Sequence, residues 1–175
     1  IRDNDPVIFM ESEQMYGDKG MVPDGEYLMP IGKADIKKIG RDVTIVSFGK
    51  MMKVALKAAE LLQAENIDSE VIDLRTVRPI DYPCVVESVK KTNRLVVLDE
   101  DVPGGASAYI LQKILEEQGG YNHLDSAPIT IASKEHRPAY GSDGDYFSKP
   151  SSDDVFEVIY NLMQESNPSA FPKIY

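Results

Sequence analysis

Asp42-Val43-Thr44-Ile45-Val46-Ser47-Phe48-Gly49, followed by Met51 to Ala64, decides the fold. Val43, Ile45, Val46 and Phe48 leave no regularly polar side, so the segment reads as a strand buried on both faces. Gly49 interrupts it. Apolar residues then recur at Met51, Val54, Ala55, Ala58 and Leu62, the spacing of one helical face, and Asn66 ends the helix. A doubly buried strand feeding an amphipathic helix calls for a parallel sheet covered by helices on both sides.

The same alternation runs downstream. Glu70-Val71-Ile72-Asp73-Leu74 is the next strand, and Asp81 to Lys91 the next helix, with Asp81 as N-cap and Pro83 in its first turn. Arg94-Leu95-Val96-Val97-Leu98-Asp99 is a further strand. Gly104 and Gly105 open a helix carrying Ala108, Leu111, Ile114 and Leu115 on one face, which Gly119-Gly120 stops. Pro128 to Ala132 is the last strand. Ser151 or Ser152 caps a final helix with Val155, Ile159, Leu162 and Met163 inward, and Asp153 and Asp154 at its positive end. Upstream, Ala34 to Ile39 has the mixed polarity of an edge strand. About five strands with right-handed crossovers are expected.

The first 30 residues differ. Pro6-Val7-Ile8-Phe9-Met10 reads as a short apolar strand. Glu11 to Met29 carries Gly17, Gly20, Pro23 and Gly25 among charges without any period, as a linker does. A strand cut from its sheet predicts partial disorder or mispairing here. The opening Ile1-Arg2-Asp3-Asn4-Asp5 has neither a signal peptide's pattern nor an initiator methionine, so the sequence reads as a piece of a longer polypeptide.

A net charge of −10 disfavours nucleic acid and anionic membranes, both of which need clustered Lys and Arg. It suits a cytoplasmic protein, or one that docks a basic partner. The lone Cys84 allows no internal disulfide and no cysteine-based zinc site, and with no basic neighbour it reads as a small buried hydrophobe. Neither His123 nor His136 has a second ligand at metal spacing. His136 lies in a polar loop after the last strand, where such sheets often bind ligands, although a solvated loop histidine accounts for it as well. Gly104-Gly105 matches no phosphate-binding fingerprint. Asp99-Glu100-Asp101 at a strand end, with Lys134 after the last strand, allows a receiver-like module holding Mg²⁺ or a phosphoryl group. A receiver also wants acidic residues after its first core strand, where this sequence has Ser47-Phe48-Gly49-Lys50.

Several stretches together are more specific than any of these. Pro6 to Glu11, Met15-Tyr16-Gly17, Pro30-Ile31-Gly32-Lys33-Ala34, Asp42 to Ser47, Val71-Ile72-Asp73-Leu74-Arg75-Thr76-Val77-Arg78-Pro79-Ile80-Asp81 and Lys90 to Val97 resemble the beta part of thiamine-dependent 2-oxo acid dehydrogenases. The resemblance covers roughly residues 6 to 130. It implies a transketolase C-terminal domain over 31–175, a three-layer α/β/α sandwich whose mixed, mostly parallel five-stranded sheet has one antiparallel edge. Residues 1–30 would be the linker and the end of a preceding pyrimidine-binding domain.

In such enzymes thiamine diphosphate and Mg²⁺ lie outside this domain, so the resemblance implies no catalytic, cofactor or metal residue here. It implies assembly with the alpha part and a second beta part, and docking of the subunit-binding domain of the acyltransferase core. Asp125 matches the family's docking aspartate, although a turn residue before a strand explains it equally. The family's chain terminus approaches that site, which makes Tyr175 the second candidate. The tail from Asn167 to Tyr175 is longer than the family's usual ending. Asp99 to Gly105 and His136 to Pro150 look more like branched-chain forms with alpha and beta parts fused. A pure oligomerisation domain is a further reading.

Overall fold

The computed structural model describes residues 2–137, 140 and 144–173. Five strands, β1 Asp35–Lys38, β2 Val43–Ser47, β3 Ser69–Asp73, β4 Leu95–Leu98 and β5 Ile129–Ile131, form one sheet in the order β1-β3-β2-β4-β5. β1 runs antiparallel to β3, with an irregular register between Ile36 and Lys38. All other pairs are parallel, Ile45 lying opposite both Val71 and Val96. The edge strand expected over Ala34 to Ile39 is the antiparallel one.

Among the described residues there are five α-helices, α1 Met51–Ala64, α2 Tyr82–Thr92, α3 Ala106–Gln112, α4 Gly144–Ser148 and α5 Ser152–Ser166, of which α1, α2, α3 and α5 cover the sheet. The two-residue period of the strands sorts the core into two layers. Val43, Ile45, Val71, Val96 and Leu98 pack with α1 and α5. Val46, Ile72, Leu74, Leu95 and Val97 pack with α2 and α3. Thr44, one of two polar residues in β2 beside Ser47, faces α2, where its hydroxyl lies 2.6 Å from that of Ser88 and 2.7 Å from that of Thr92. A buried hydroxyl costs little once it is hydrogen-bonded.

Helix ends follow local chemistry. Asn66 and Asn93 adopt the left-handed conformation after α1 and α2. Asp81 accepts the Cys84 N–H at 3.4 Å, as an N-cap does. Ser151, not Ser152, caps α5, in a reciprocal box with Asp154. α3 continues as a π-helical turn over Lys113–Glu117 before left-handed Gly119.

Two expectations need correction. Pro6 to Met10 is not a strand, and Ile8, Phe9 and Met10 are exposed. A strand needs a ladder partner, and among the described residues no segment pairs with it. Among the described residues the one regular element before β1 is a 3-10 turn at Glu13–Met15. The stretch from His136 to Pro150 is not all loop either, because it contains α4.

Leu74 to Asp81 braces the sheet edge. The Thr76 hydroxyl accepts the Gly32 N–H at 3.1 Å and donates to the Pro79 carbonyl at 2.9 Å. The other carboxyl oxygen of Asp81 accepts the Ala34 N–H at 3.1 Å. Arg75 pairs with Asp35 of β1. The end of β3, the start of β1 and the start of α2 are thereby tied together.

Glu70 of β3 is 1% exposed, pairs with Lys91 of α2 and accepts the Gly40 N–H at 3.3 Å. Gly40 must lack a side chain, since a Cβ there would sit 2.2 Å from the Ser69 carbonyl carbon. Burial pushes the Glu70 carboxyl up, but hydrogen bonds from Lys91, Ser88 and Gly40 outweigh it and leave it below its ordinary value of 4.5. A lowered folded pKa adds stability that is present above the unfolded value and lost as pH falls through the folded one. Urea unfolding should therefore show stability falling below about pH 4.5. Glu70→Gln should cost about 1–3 kcal/mol at pH 7 and flatten that acid loss. An equally steep acid loss in the variant would assign it to other carboxylates.

Candidate functional site

Charged side chains gather at both edges of the sheet. At the amino-terminal edge, left-handed Asn93 turns the chain from α2 into β4. Its carbonyl accepts the Asp125 N–H at 2.9 Å, and its side-chain amide donates to the His123 carbonyl at 2.8 Å. Asp125 is thus fixed by backbone before β5. The Arg94 guanidinium donates to the Asp125 carboxylate at 2.7 Å and to the Asp42 carbonyl at 3.1 Å, while its Nε is buried with no partner.

The Arg94 side chain is 15% exposed and that of Asp125 is 45% exposed, so the pair presents its anionic end to solvent. Asp68 alongside accepts from Lys38 at 2.9 Å, lies 3.6 Å from Arg41, and gives its N–H to Asp42. Asp42, Asp68 and Asp125 are therefore matched by Lys38, Arg41 and Arg94. Around Asp125, the expected docking aspartate, the structure shows a charge-balanced band with one outward carboxylate.

Tyr175, the other docking candidate, lies outside the described residues. The tail before it folds back on α5. Phe171 meets the Tyr160 ring edge-on with centroids 6.0 Å apart, and the Tyr160 hydroxyl donates to the Pro172 carbonyl at 2.9 Å. Lys173 borders a groove with Asp153, Phe156 and Glu157, toward the start of α5.

At the carboxyl-terminal edge, Asp99 is buried, and its two oxygens accept the N–H groups of Asp101 and Ser107, each at 3.2 Å. One oxygen thereby holds the first turn of α3 and the other the loop that leads into it. Glu100 pairs with Lys149 at 2.9 Å. Lys134 is exposed and donates its backbone N–H to the Ser148 carbonyl. Among the described residues no three His, Cys, Asp or Glu side chains converge as a metal would require. The receiver-like arrangement therefore lacks its geometry.

His136 is exposed, with Nδ1 3.0 Å from the Arg137 carbonyl oxygen. Burial pushes the Cys84 thiol up and the charge of Asp81 adds to this, which keeps it protonated at neutral pH. Burial also pushes the Tyr82 hydroxyl up to about 12, assisted by a hydrogen bond with Tyr109. The Tyr109 ring lies beneath both Arg78, at 5.8 Å, and Lys113, at 5.5 Å.

Sequence reasoning missed Asp145 of α4, which receives Gln14 at 2.9 Å, Lys50 at 3.3 Å and Lys149 at 3.6 Å. The first two partners lie more than 90 residues away, and a five-residue helix shows no period, so no local signal marked it.

These elements define an α/β/α sandwich whose parallel core ends in one antiparallel edge strand. A family model described as "Transketolase, C-terminal domain" matches residues 32–148, and the chain belongs to that family. It is 42% identical over 161 residues to the pyruvate dehydrogenase E1 component subunit beta of Rhizobium meliloti (strain 1021), covering 91% of this chain and 35% of that protein. It is 41% identical over 175 residues to the mitochondrial counterpart of Pisum sativum, covering 97% of this chain and 48% of that protein. The chain thus spans about half the length of such relatives, or less. A split gene transketolase, solved as an inactive beta4 tetramer, superposes with TM-score 0.66 and 27% identity over 84% of this chain and 46% of that one. A 2-oxoglutarate:ferredoxin oxidoreductase from Magnetococcus marinus, with TM-score 0.52 and 13% identity over 75% of this chain and 20% of that one, shares the fold alone.

Asp125→Asn should cost less than about 1 kcal/mol, because its pair is half exposed. Arg94→Ala, which also frees the Asp42 carbonyl and vacates a buried position, should cost about 1–3 kcal/mol. Denaturant titration of both variants checks the order, and a larger loss at Asp125 would contradict the geometry.

Proposed function

We propose that this chain is the C-terminal domain of the beta part of a thiamine diphosphate-dependent 2-oxo acid dehydrogenase. The parent decarboxylates a 2-oxo acid and transfers the acyl group to lipoamide. One observation carries this reading: about 40% identity to pyruvate dehydrogenase E1 beta subunits, extending over nearly the whole chain. The same relatives favour pyruvate over branched-chain 2-oxo acids, and separate over fused alpha and beta parts.

In this reading residues 1–30 are the linker and the end of a preceding pyrimidine-binding domain, and 31–175 serve assembly and docking. The carboxylates at the sheet edges are occupied by backbone N–H groups and cations, a donor set that does not fit thiamine diphosphate or Mg²⁺. Both are assigned to other parts of the parent. Partners are the alpha part, a second beta part and the subunit-binding domain of the acyltransferase, with the outward carboxylate of Asp125 as anchor. Such a carboxylate orients a basic partner even where the surrounding band is balanced. The proposed compartment is the cytoplasm, consistent with a lone free cysteine. Among the described residues no helix is long and apolar enough to cross a membrane.

The parent protein, assayed with lipoamide acceptor, should turn over pyruvate faster than 2-oxoisovalerate. Asp125→Lys should leave decarboxylation intact and abolish capture by an immobilised subunit-binding domain. Preference for 2-oxoisovalerate would overturn the substrate, and unchanged capture would overturn the anchor.

A further inference from the structure

α5 starts at the carboxyl-terminal edge of the sheet, since the Ser148 carbonyl just before it accepts the Lys134 N–H beyond the end of β5. It packs on the sheet beside α1. Its 15 residues rise about 22 Å, whereas strands of three to five residues span at most about 17 Å, so its last turn reaches the edge that carries Asp125. A chain leaving α5 there could continue toward Asp125, as the family resemblance implies for the terminus. The tail turns the other way.

Ala170 and Phe171 both return their N–H groups to the Asn167 carbonyl, at 3.2 and 3.0 Å, and the Asn167 side-chain oxygen also accepts from Ala170 at 3.2 Å. These bonds reverse the chain. From Asn167 to Lys173 every residue but Phe171 is exposed, and Phe171 packs against the core that α1 and α5 enclose. Its ring extends a row: Phe171 lies 6.0 Å from Tyr160, and Tyr160 lies 5.8 Å from Phe156, centroid to centroid. The hydroxyl of the buried Tyr160 donates to the Pro172 carbonyl at 2.9 Å. Tyr160 sits six residues before Ser166, about 9 Å back along the axis, and helical side chains lean further toward the helix start. The tail thus retraces α5 away from Asp125, and Lys173 arrives at a groove that also carries Asp153 and Glu157.

We infer that Asn167 to Lys173 is a strap, latched on α5 by the Phe171 ring and the Tyr160 hydroxyl, and that it directs the chain away from the Asp125 carboxylate, so that docking engages Asp125 without Tyr175. A polar tail orders only where something ties it down, and Phe171 is the apolar tie. The two residues after Lys173 extend at most about 7 Å, which does not recover the distance withdrawn along α5. The docking half of the inference rests on the proposed function, which supplies the partner. The strap stands on the contacts of α5 alone.

Two measurements on the parent protein test the two halves. Amide hydrogen exchange over 167–173 should be about ten-fold slower in the wild type than in Phe171→Ala, with Tyr160→Phe, which loses only the hydroxyl, in between. Capture by an immobilised subunit-binding domain should stay within about two-fold when Ile174 and Tyr175 are deleted. Equal exchange in the wild type and Phe171→Ala overturns the latch. Capture weakened about ten-fold or more by the deletion overturns the withdrawal from Asp125. A parent that is not captured at all, yet keeps slow exchange over the tail, sinks the proposed docking and leaves the strap standing.

Discussion

Burial of β2 on both faces is the constraint from which the rest follows. All five of its residues are withdrawn from water, and it hydrogen-bonds to β3 on one side and β4 on the other. A strand so placed cannot have one wet face, so helices must lie above and below it. Parallel neighbours then require long crossovers, which α1 and α2 supply. Each apolar side chain buried this way is worth about 1.5–3 kcal/mol, and the alternation along β2, β3 and β4 distributes that stabilisation between both layers.

Polar groups inside this frame hold parts together. Thr44, Ser88 and Thr92 satisfy one another beneath α2, and Glu70 joins the β1–β2 connection to α2 through Gly40 and Lys91. Asp99, which as a sequence pattern suggests phosphoryl chemistry, spends one oxygen on the first turn of α3 and the other on the Asp101 N–H of the preceding loop. Leu74 to Asp81, part of the Val71 to Asp81 run that carries the family resemblance, is a brace at the sheet edge. A motif can thus be specific to a family for reasons of architecture alone. What is left outward is the Asp125 carboxylate at one edge, and the Tyr146 and Phe147 rings at the other.

The sandwich was legible because its signals are local and periodic. The runs around Val43, Val71 and Val96, the helical spacing from Met51 to Leu62, and the cap at Asp81 each state their structure within a dozen residues, and the cap of α5 was narrowed to Ser151 or Ser152. Pro6 to Met10 misled because apolar alternation does not reveal whether a pairing partner exists. The face proposed for Ala108, Leu111, Ile114 and Leu115 drifted for another reason. Within α3 the inward positions are Ser107 and Ile110, and Ile114 follows at the same helical spacing, whereas Ala108 lies six residues from Ile114, well off that face, and is exposed. At the edges, Asp125 was named on resemblance, but its ion pair with Arg94 spans 31 residues and could not be read from spacing. Asp145 was invisible for the same physical reason, since charges meet through the fold and leave no period.

The proposed function implies a division of labour in which this domain makes contacts while the reactive groups of the parent lie elsewhere. Calorimetric titration of thiamine diphosphate with Mg²⁺ into the 175-residue chain, beside the same titration of the whole parent enzyme, tests it most directly. The account predicts saturable binding to the parent and only heats of dilution with the chain. Tight, stoichiometric binding to the chain alone would contradict it.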